Sequence, residues 1–320
     1  MGVGNIKWKG KQVLVTGICG FIGGSIAADL IRQGATVDGI DDLSVGKEEY
    51  LPEGVNYFFN GRVNKENLPK GYYDVVFHFA APCTVLQYKD NPLEALAKAN
   101  ESAYSIRVFC KEQKIPYLVY ASSATYYGSS TDDWGRYDVD IEKDNYQEDI
   151  VQPSPDNIYG VSKCAEECMD ALFPTVKTLA LRLFPAYGAR EELKGKVASV
   201  PYQFLVDMSM DIPPEIWGDG EQRRDFIYIH DVVYCVRSLV ERGAIGAYNI
   251  GTGVAVSTNE LVEAINVSLG KSIVPKYVPV PNYKYTKVLV SDPSKLLDMI
   301  GGYEFTSIGD AVSDMVAEMK

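Results

Sequence analysis

A tyrosine and a lysine four residues apart, Tyr159 and Lys163, form the pair in this sequence best suited to catalysis. At this spacing the two side chains share one face of a helix. A phenol has an ordinary pKa of about 10 and is a poor base at neutral pH, but a neighbouring ammonium favours the phenolate. The pair therefore predicts a general base that removes a proton from a hydroxyl group. Such pairs are also common on helix surfaces, so the prediction depends on neighbouring motifs.

A glycine-rich turn between a predicted strand and a predicted helix supplies the first of these motifs. Gly17 allows a tight turn, Gly20 lets a pyrophosphate approach the backbone, and Gly23 lets helix and strand pack closely. The start of the helix, with Phe21 and Ile22, then offers free N–H groups and a partial positive charge. This arrangement predicts a dinucleotide site.

An acidic residue, Asp41, follows at the end of the second predicted strand. A carboxylate there accepts hydrogen bonds from ribose hydroxyls and repels a 2′-phosphate, which favours NAD over NADP. Asp42 follows it directly. The alternative interpretation of the two aspartates is a solvated turn.

Two serines, Ser122 and Ser123, come at the end of another predicted strand. Hydroxyls at the carboxyl end of a parallel strand point into the crevice where ligands bind. One of them can share the proton of a substrate hydroxyl with Tyr159. A simple Ser/Thr turn is the alternative.

The elements that must position these residues alternate between short β-branched runs and longer helical patterns. Strands are predicted at residues 12–16, 35–40, 74–79, 117–121 and 178–184, and a helix at 93–114. This alternation predicts an α/β fold with a doubly wound parallel sheet. We predict a nucleotide-binding domain at residues 1–180 and a smaller C-terminal α/β region at 181–320 that binds substrate, with the chain crossing back into the first domain. A long surface loop is predicted at residues 129–154.

Composition limits the possible partners. The net charge of -12 makes nucleic acid an unlikely partner, and an anionic substrate would have to be held by a few local cations. Six scattered cysteines without a CxxC pair, together with two histidines, argue against a metal site. We interpret the cysteines as buried small hydrophobes in a reducing compartment.

No membrane segment is expected. The most apolar stretch, residues 13–28, is interrupted by glycines and is shorter than the roughly 20 residues that a membrane helix needs. The first residues lack the charged-then-apolar order of a signal peptide. These observations predict a cytoplasmic protein.

Taken together, the motifs resemble the extended short-chain dehydrogenase/reductase family, in particular its NAD-dependent sugar-nucleotide epimerases and dehydratases. The matching segments run in the family's order at residues 16–23, 41–46, 78–81, 122–128, 159–163, 181–184, 218–220, 224–226 and 249–253. The resemblance implies a Rossmann fold, NAD as cofactor and a nucleotide-diphosphate sugar as substrate.

The resemblance also implies a role for individual residues. Tyr159 would be the base, Lys163 would bind the nicotinamide ribose and tune Tyr159, and Ser123 would be the assisting hydroxyl. Arg224 would reach the substrate diphosphate. The remaining implied contacts are, to the cofactor, Asp42, Ser44, Gly46, Ala80, Ala81, Asn100 and Pro185 and, to the substrate, Ala124, Thr125 and Val200. Val200 ends a segment, residues 195–200, similar to one in NDP-heptose 6-epimerases.

Two positions favour one reaction over another. In the 4,6-dehydratases of this family an acid and a base follow the assisting hydroxyl, whereas here Ala124 and Thr125 follow Ser123. Alanine has no proton to donate and a threonine hydroxyl is a poor base. The sequence therefore resembles the UDP-glucose 4-epimerases, which oxidise C4 and return the hydride to the other face.

The chain departs from the family pattern at several places, which leaves the substrate open. Pro185 stands where the family has an asparagine, Arg62 where it has an aspartate, and the loop before Tyr159 is longer than in typical 4-epimerases. A decarboxylase, a 4,6-dehydratase with relocated acid and base, a heptose epimerase or a dehydrogenase remains an alternative. So does a catalytically silent NAD-binding protein. Helices near residues 93–114 and 155–173 resemble those that pair two subunits, which predicts a homodimer.

Overall fold

The computed structural model describes residues 6–83, 85–89, 91–128, 147–148, 153–280 and 287–319. The strands are β1 (Gln12–Thr16), β2 (Thr36–Asp41), β3 (Tyr57–Asn60), β4 (Val75–His78), β5 (Tyr117–Ser123), β6 (Lys177–Leu183), β7 (Ala186–Tyr187), β8 (Glu215–Trp217), β9 (Arg223–Arg224), β10 (Ile227–Tyr228), β11 (Gly246–Ile250), β12 (Val256–Ser257), β13 (Lys276–Val278) and β14 (Val288–Leu289). The α-helices are α1 (Phe21–Arg32), α2 (Pro92–Glu112), α3 (Ile158–Cys168), α4 (Val200–Ser209), α5 (Ile229–Glu241), α6 (Thr258–Leu269), α7 (Ser294–Ile300) and α8 (Ile308–Glu318).

A parallel sheet forms the centre of the molecule. Within the described ranges it has seven strands in the order β11-β6-β5-β4-β1-β2-β3, and every pairing in it is parallel. The order runs outward from β1 in both directions, as in a doubly wound fold. The predicted fold class is therefore confirmed.

Both faces of the sheet are covered. Val13 and Val15 of β1 belong to one apolar cluster with α1 and α5, while Leu14 between them belongs to a second cluster that includes Ile106 of α2. All three β1 side chains are fully buried. A strand buried on both faces reads as a continuous apolar run, which is why this segment lacks an alternating pattern.

Strand register brings the chemical residues to one edge of the sheet. Thr16, at the end of β1, pairs with His78 of β4, and His78 pairs with Tyr120 of β5. Ser123, which ends β5, pairs with Leu183 of β6. Since the strands are parallel, their carboxyl ends lie side by side, and ligands bind outside such ends.

The later part of the chain adds smaller sheets beside this edge. They are β7 with β10, β8 with β13, and β9 with β12 and β14. Asp225, which is fully buried, holds the region together by accepting hydrogen bonds from Thr252, Gly253 and Ser291. Between β10 and β12 the chain returns to the main sheet through β11, which pairs with β6. The division at residue 180 stays a prediction, and β6 spans that residue.

The predicted loop at 129–154 lies largely outside the described residues. Among its described residues, Gln147 and Glu148 contact the later part of the chain. Gln147 Nε2 donates to Asp292 at 2.8 Å, and Glu148 accepts from the backbone N–H of Asn249 at 2.5 Å.

The cysteines are all free thiols, but only three are buried. Cys19, Cys110 and Cys235 lie in the apolar interior, as expected, whereas Cys83 and Cys168 are exposed. The interpretation as core residues is wrong for these two, because Cys83 follows β4 at the cavity and Cys168 ends α3. In the part of the chain that the structure describes, no helix is both long and apolar enough to cross a bilayer.

Candidate active site

A cavity of about 740 Å³ opens at the carboxyl ends of the central strands. Most of the residues predicted from sequence line it together. They are Gly17, Gly20, Phe21, Ile22, Gly23, Asp41, Asp42, Ser44, Gly46, Ala80, Ala81, Ser122, Ser123, Ala124, Thr125, Tyr159, Lys163 and Pro185. The structure thus places the predicted cofactor loop and the predicted catalytic pair in one space.

Three predicted residues lie outside the residues that line this cavity. Asn100 sits on α2, and its side-chain oxygen is buried with no hydrogen-bond donor among the described residues. Val200 begins α4 and is 42% exposed. Arg224 lies on β9, where its guanidinium donates to the carbonyl of Arg223 at 2.8 Å.

The glycine turn has the backbone conformation that its sequence predicted. Gly17 has a φ of +71°, and a Cβ atom there would lie 2.8 Å from the carbonyl carbon of Phe79 and 2.9 Å from the N of Ala80. A side chain at Gly23 would overlap the Gly17 carbonyl. Gly20 is the N-cap of α1 and has no side chain with which to cap the helix. The first N–H groups of α1 therefore face the cavity without a capping side chain, which suits an anion.

Asp41 ends β2 beside this turn. One carboxylate oxygen accepts from the N–H of Cys19 at 2.9 Å and the other from Leu43 at 2.9 Å. Burial raises the pKa of Asp41, while these two backbone hydrogen bonds lower it. Each oxygen has a second lone pair, so the carboxylate can also accept from ribose hydroxyls in the cavity.

Tyr159 is placed by the first turn of α3. Asn157 caps that helix, accepting from the N–H of Gly160 at 2.9 Å. The phenol interacts with Ser123, whose Oγ accepts from Thr125 Oγ1 at 3.0 Å. Because Thr125 supplies a donor to that oxygen, the Ser123 proton is available to Tyr159 or to a substrate oxygen.

Lys163 lies one helical turn further along α3 and is buried. Its ammonium donates to the carbonyl of Ala121 at 2.7 Å and to Glu166 Oε2 at 3.0 Å. Burial raises the pKa of Tyr159, whereas Lys163 and the hydrogen bond with Ser123 lower it. Burial lowers the pKa of Lys163, but Glu166 and Tyr159 raise it by more than burial lowers it, so the side chain stays an ammonium. The site therefore holds a phenol beside a fixed positive charge.

Several cavity residues were missed by the sequence analysis. Lys194 lines the cavity, with its Nζ 4.1 Å from the ring centroid of Phe21 and 2.9 Å from Glu191 Oε2. Glu191 is fully buried and also accepts from Gly188 and Ser199. No local sequence pattern identifies Lys194 as a cavity residue, because a carboxylate three residues before a lysine is equally common on a solvated turn.

Comparison with known proteins identifies the family. Residues 13–251 match the model of the NAD dependent epimerase/dehydratase family. The chain belongs to this family. The matched segment contains the glycine turn, Asp41, Ser123 and the Tyr159–Lys163 pair. The resemblance predicted from sequence is therefore confirmed.

Solved structures of similar proteins agree with this membership. UDP-glucose 4-epimerase of Thermotoga maritima, solved with UDP-glucose, is 25% identical, with a TM-score of 0.86 over 96% of this chain and 98% of that chain. UDP-N-acetylglucosamine 4-epimerase of Methanobrevibacter ruminantium is 26% identical, with a TM-score of 0.83 over 97% and 100%. UDP-glucose 4-epimerase of Thermus thermophilus, solved with NAD, is 27% identical, with a TM-score of 0.81 over 96% and 98%.

The residues present fit the cofactor that defines this NAD-dependent family. The uncapped start of α1 suits a pyrophosphate, and the carboxylate of Asp41 suits the hydroxyls of a ribose. Lys163 lines the same cavity beside Tyr159. Among the described residues, no cluster of histidine, cysteine and carboxylate side chains is arranged to hold a metal ion.

Proposed function

We propose that this chain is an NAD-dependent nucleotide-sugar 4-epimerase of the UDP-glucose/UDP-galactose type. The observation that carries the proposal is the placement of Tyr159, Lys163 and Ser123 in the same cavity as the glycine turn. In this reaction the C4 hydroxyl is oxidised to a ketone and then reduced on the other face of the sugar. Bound NAD would supply the hydride acceptor and donor.

The protein's own residues move and hold the proton. Tyr159 takes the proton of the C4 hydroxyl while the C4 hydrogen would leave as a hydride to bound NAD, and Tyr159 returns the proton when the ketone is reduced. Ser123 donates a hydrogen bond to the same oxygen and so stabilises the negative charge that develops there. Lys163 stabilises the phenolate form of Tyr159 throughout.

The two residues after Ser123 support epimerisation over dehydration. Ala124 and Thr125 both line the cavity, at the positions where elimination of water would need an acid and a base. Thr125 Oγ1 donates to Ser123 and its backbone N–H does the same at 3.2 Å. Thr125 thus supports the assisting hydroxyl, a role that fits oxidation and reduction at one carbon.

The cations of the cavity support a substrate with a diphosphate. Lys194 and Lys98 line it, whereas Arg224 does not. An acidic protein with a net charge of -12 needs such local cations to hold an anionic ligand. We assign the substrate diphosphate to this cavity, where Ser123 and Tyr159 contact the sugar, and further substrate contacts to the part of the chain that follows residue 180.

The test is incubation of the purified enzyme with UDP-, GDP-, ADP- and dTDP-sugars, read by NMR and mass spectrometry. A 4-epimerase interconverts two sugars of equal mass without net formation of NADH. A dehydrogenase would instead accumulate NADH, and a dehydratase or decarboxylase would give a lighter product. Either result would replace the proposal by that related activity. NAD binding without turnover of any sugar would identify a silent NAD-binding protein.

We further propose that the enzyme is a homodimer in the cytoplasm. Large apolar side chains on α2 and α3 are exposed, among them Leu93 and Tyr104 on α2 and Val161 on α3. Burial of such side chains against a second copy would stabilise a dimer. Sedimentation equilibrium distinguishes a dimer from a monomer.

A further inference from the structure

A cluster of charged side chains is buried between α2 and α3, behind the catalytic lysine. Arg107 of α2 is fully buried, and Glu166 of α3 is 5% exposed. Arginine and glutamate are rarely buried unless they are paired. Neither residue lines the cavity, and the reaction outlined above uses neither.

Arg107 fixes the position of α3 through several contacts. Its Nη2 donates to the carbonyl of Glu166 at 3.0 Å and to Asp170 Oδ1 at 2.7 Å, and its Nη1 lies 3.7 Å from Glu166 Oε1. Asp170 in turn accepts from the hydroxyl of Tyr120 at 2.7 Å. The guanidinium also lies 4.5 Å from the ring centroid of Tyr120 on β5. The cluster therefore ties α2 and α3 to the strand that carries Ser123.

Glu166 extends this cluster to the catalytic pair. Its Oε2 lies 3.0 Å from Lys163 Nζ, while Ala121 of β5 accepts from the same ammonium at 2.7 Å. Two of the three N–H groups of the Lys163 ammonium therefore donate to acceptors whose positions are fixed, the carbonyl of Ala121 and the carboxylate of Glu166. One is a full negative charge, which partly compensates the positive charge that the ammonium presents to Tyr159.

We propose that Glu166, held in place by Arg107, is a positioning residue that fixes the ammonium of Lys163 and sets the pH at which Tyr159 changes protonation state. Without Glu166, the positive charge of Lys163 would act on the phenol uncompensated. Tyr159 would then hold its proton less firmly. The inference builds on the role of Tyr159 in the proposed function but concerns only groups in this chain.

The charged and titratable groups around Tyr159, Lys163 and Glu166 determine how the removal of one charge would change the pKa values. Burial raises the pKa of Tyr159, Lys163 and Ser123 lower it, and Cys83 and Glu166 raise it. On Lys163, burial lowers the pKa, while Glu166, Tyr159 and Tyr88 raise it. On Glu166, burial raises the pKa, while Lys163, His78 and Arg107 lower it, so its carboxylate stays ionised. Removing the negative charge at Glu166 should therefore lower the pKa values of both Tyr159 and Lys163.

The experiment measures the phenol directly by NMR titration of protein labelled with ¹³Cζ-tyrosine. The resonance of Tyr159 is the one that disappears in Tyr159→Phe. In Glu166→Gln, which keeps the shape of the side chain and removes its charge, we expect the pKa of Tyr159 to fall by about one unit. Where the enzyme is active, the acid and alkaline limits of its pH profile should both move to lower pH.

Two further variants separate an electrostatic role from a structural one. Glu166→Asp retains the charge. Its Tyr159 pKa should therefore differ from the wild-type pKa by no more than about a third of the shift seen in Glu166→Gln. If Glu166→Gln does not fold, the comparison of Arg107→Lys with wild type replaces it: a weaker hold on Glu166 should still move the Tyr159 titration. Glu112→Gln, which removes an exposed carboxylate at the end of α2, should leave the titration unchanged.

An unchanged titration of Tyr159 in folded Glu166→Gln would overturn the proposal. So would a folded Arg107→Lys with a wild-type titration if it is the variant used. Because the readout needs no substrate, it is independent of whether any nucleotide sugar is epimerised. Absence of turnover with every sugar would instead contradict the proposed function.

Discussion

The phenol of Tyr159 is subject to opposing influences on its proton. Burial raises its pKa, and the nearby Lys163 and Ser123 lower it. The Tyr88 ring packs against it at a centroid distance of 5.6 Å. In such a desolvated place a fixed charge acts more strongly than it would in water. The basicity of Tyr159 is therefore a property of its surroundings more than of the side chain.

Replacing Tyr159 by phenylalanine tests its role as the base. We expect kcat to fall by about a thousandfold, because the ring remains but the proton acceptor is lost. The affinity for NAD, measured by calorimetry, should change little. Tyr73→Phe is the control, since that buried tyrosine bonds to Asp38 away from the cavity. Full activity in Tyr159→Phe would refute the mechanism.

At the scale of single residues, the sequence predicts a shared position best for residues that belong to one short motif. Tyr159 and Lys163 are neighbours on one helix, so their spacing alone predicts a shared face. Glu166 and Arg107 were not predicted, because their importance depends on how α2 packs against α3. A buried arginine in the middle of a helix has no sequence pattern that distinguishes it from an exposed one.

At the level of elements, the turn between β1 and α1 shapes the phosphate site. Gly17→Ala would place a methyl group against the backbone at Phe79 and Ala80 and strain a positive φ. Such strain costs about 1–3 kcal/mol, and a loss of this size from the binding free energy would raise the dissociation constant for NAD roughly 5- to 150-fold.

Isothermal calorimetry with NAD measures this effect. The matched control is Gly71→Ala, because a Cβ atom at Gly71 would meet no other atom within 4 Å. Wild-type affinity in Gly17→Ala would show that the turn tolerates a side chain and does not form the cradle.

The strands of the central sheet could be predicted from sequence, whereas the roles of residues placed by resemblance stay predictions. The apolar runs of β1, β4 and β5 could be read directly, since strands buried on both faces are continuous in sequence. The resemblance implies contacts for Asn100 and Arg224, yet neither lines the cavity. Their positions depend on the rotation of α2 and on the pairing of β9 with its neighbours, which no local pattern encodes.

For the molecule as a whole, a buried histidine links stability to pH. His78 is 3% exposed and contacts Thr16 Oγ1 at 2.8 Å, and burial lowers its pKa to about 4. The unfolded chain binds a proton at this imidazole below about pH 6.5. Between these two values acid favours the unfolded state, and the free energy of unfolding should fall by about 2 kcal/mol from pH 7 to pH 5 through this group.

Urea unfolding at both pH values checks this expectation in wild type and in His78→Gln. Glutamine can still hydrogen-bond but does not titrate. The difference between pH 7 and pH 5 should therefore be smaller in His78→Gln than in wild type. An equal difference in the two proteins would mean that His78 does not contribute to the acid sensitivity.

The return of the chain to the main sheet affects how the protein forms during synthesis. β11 supplies an edge strand, and α5 just before it contacts the first part of the chain through Arg237 with Asp29 at 3.0 Å and Glu241 with Trp8 at 2.8 Å. A nascent chain that has emerged from the ribosome only as far as β6 leaves that strand without its outer neighbour and α1 without its covering helix. The central sheet is thus completed late in translation, only after residue 250 has emerged, and until then the β6 edge is open to unwanted strand pairing.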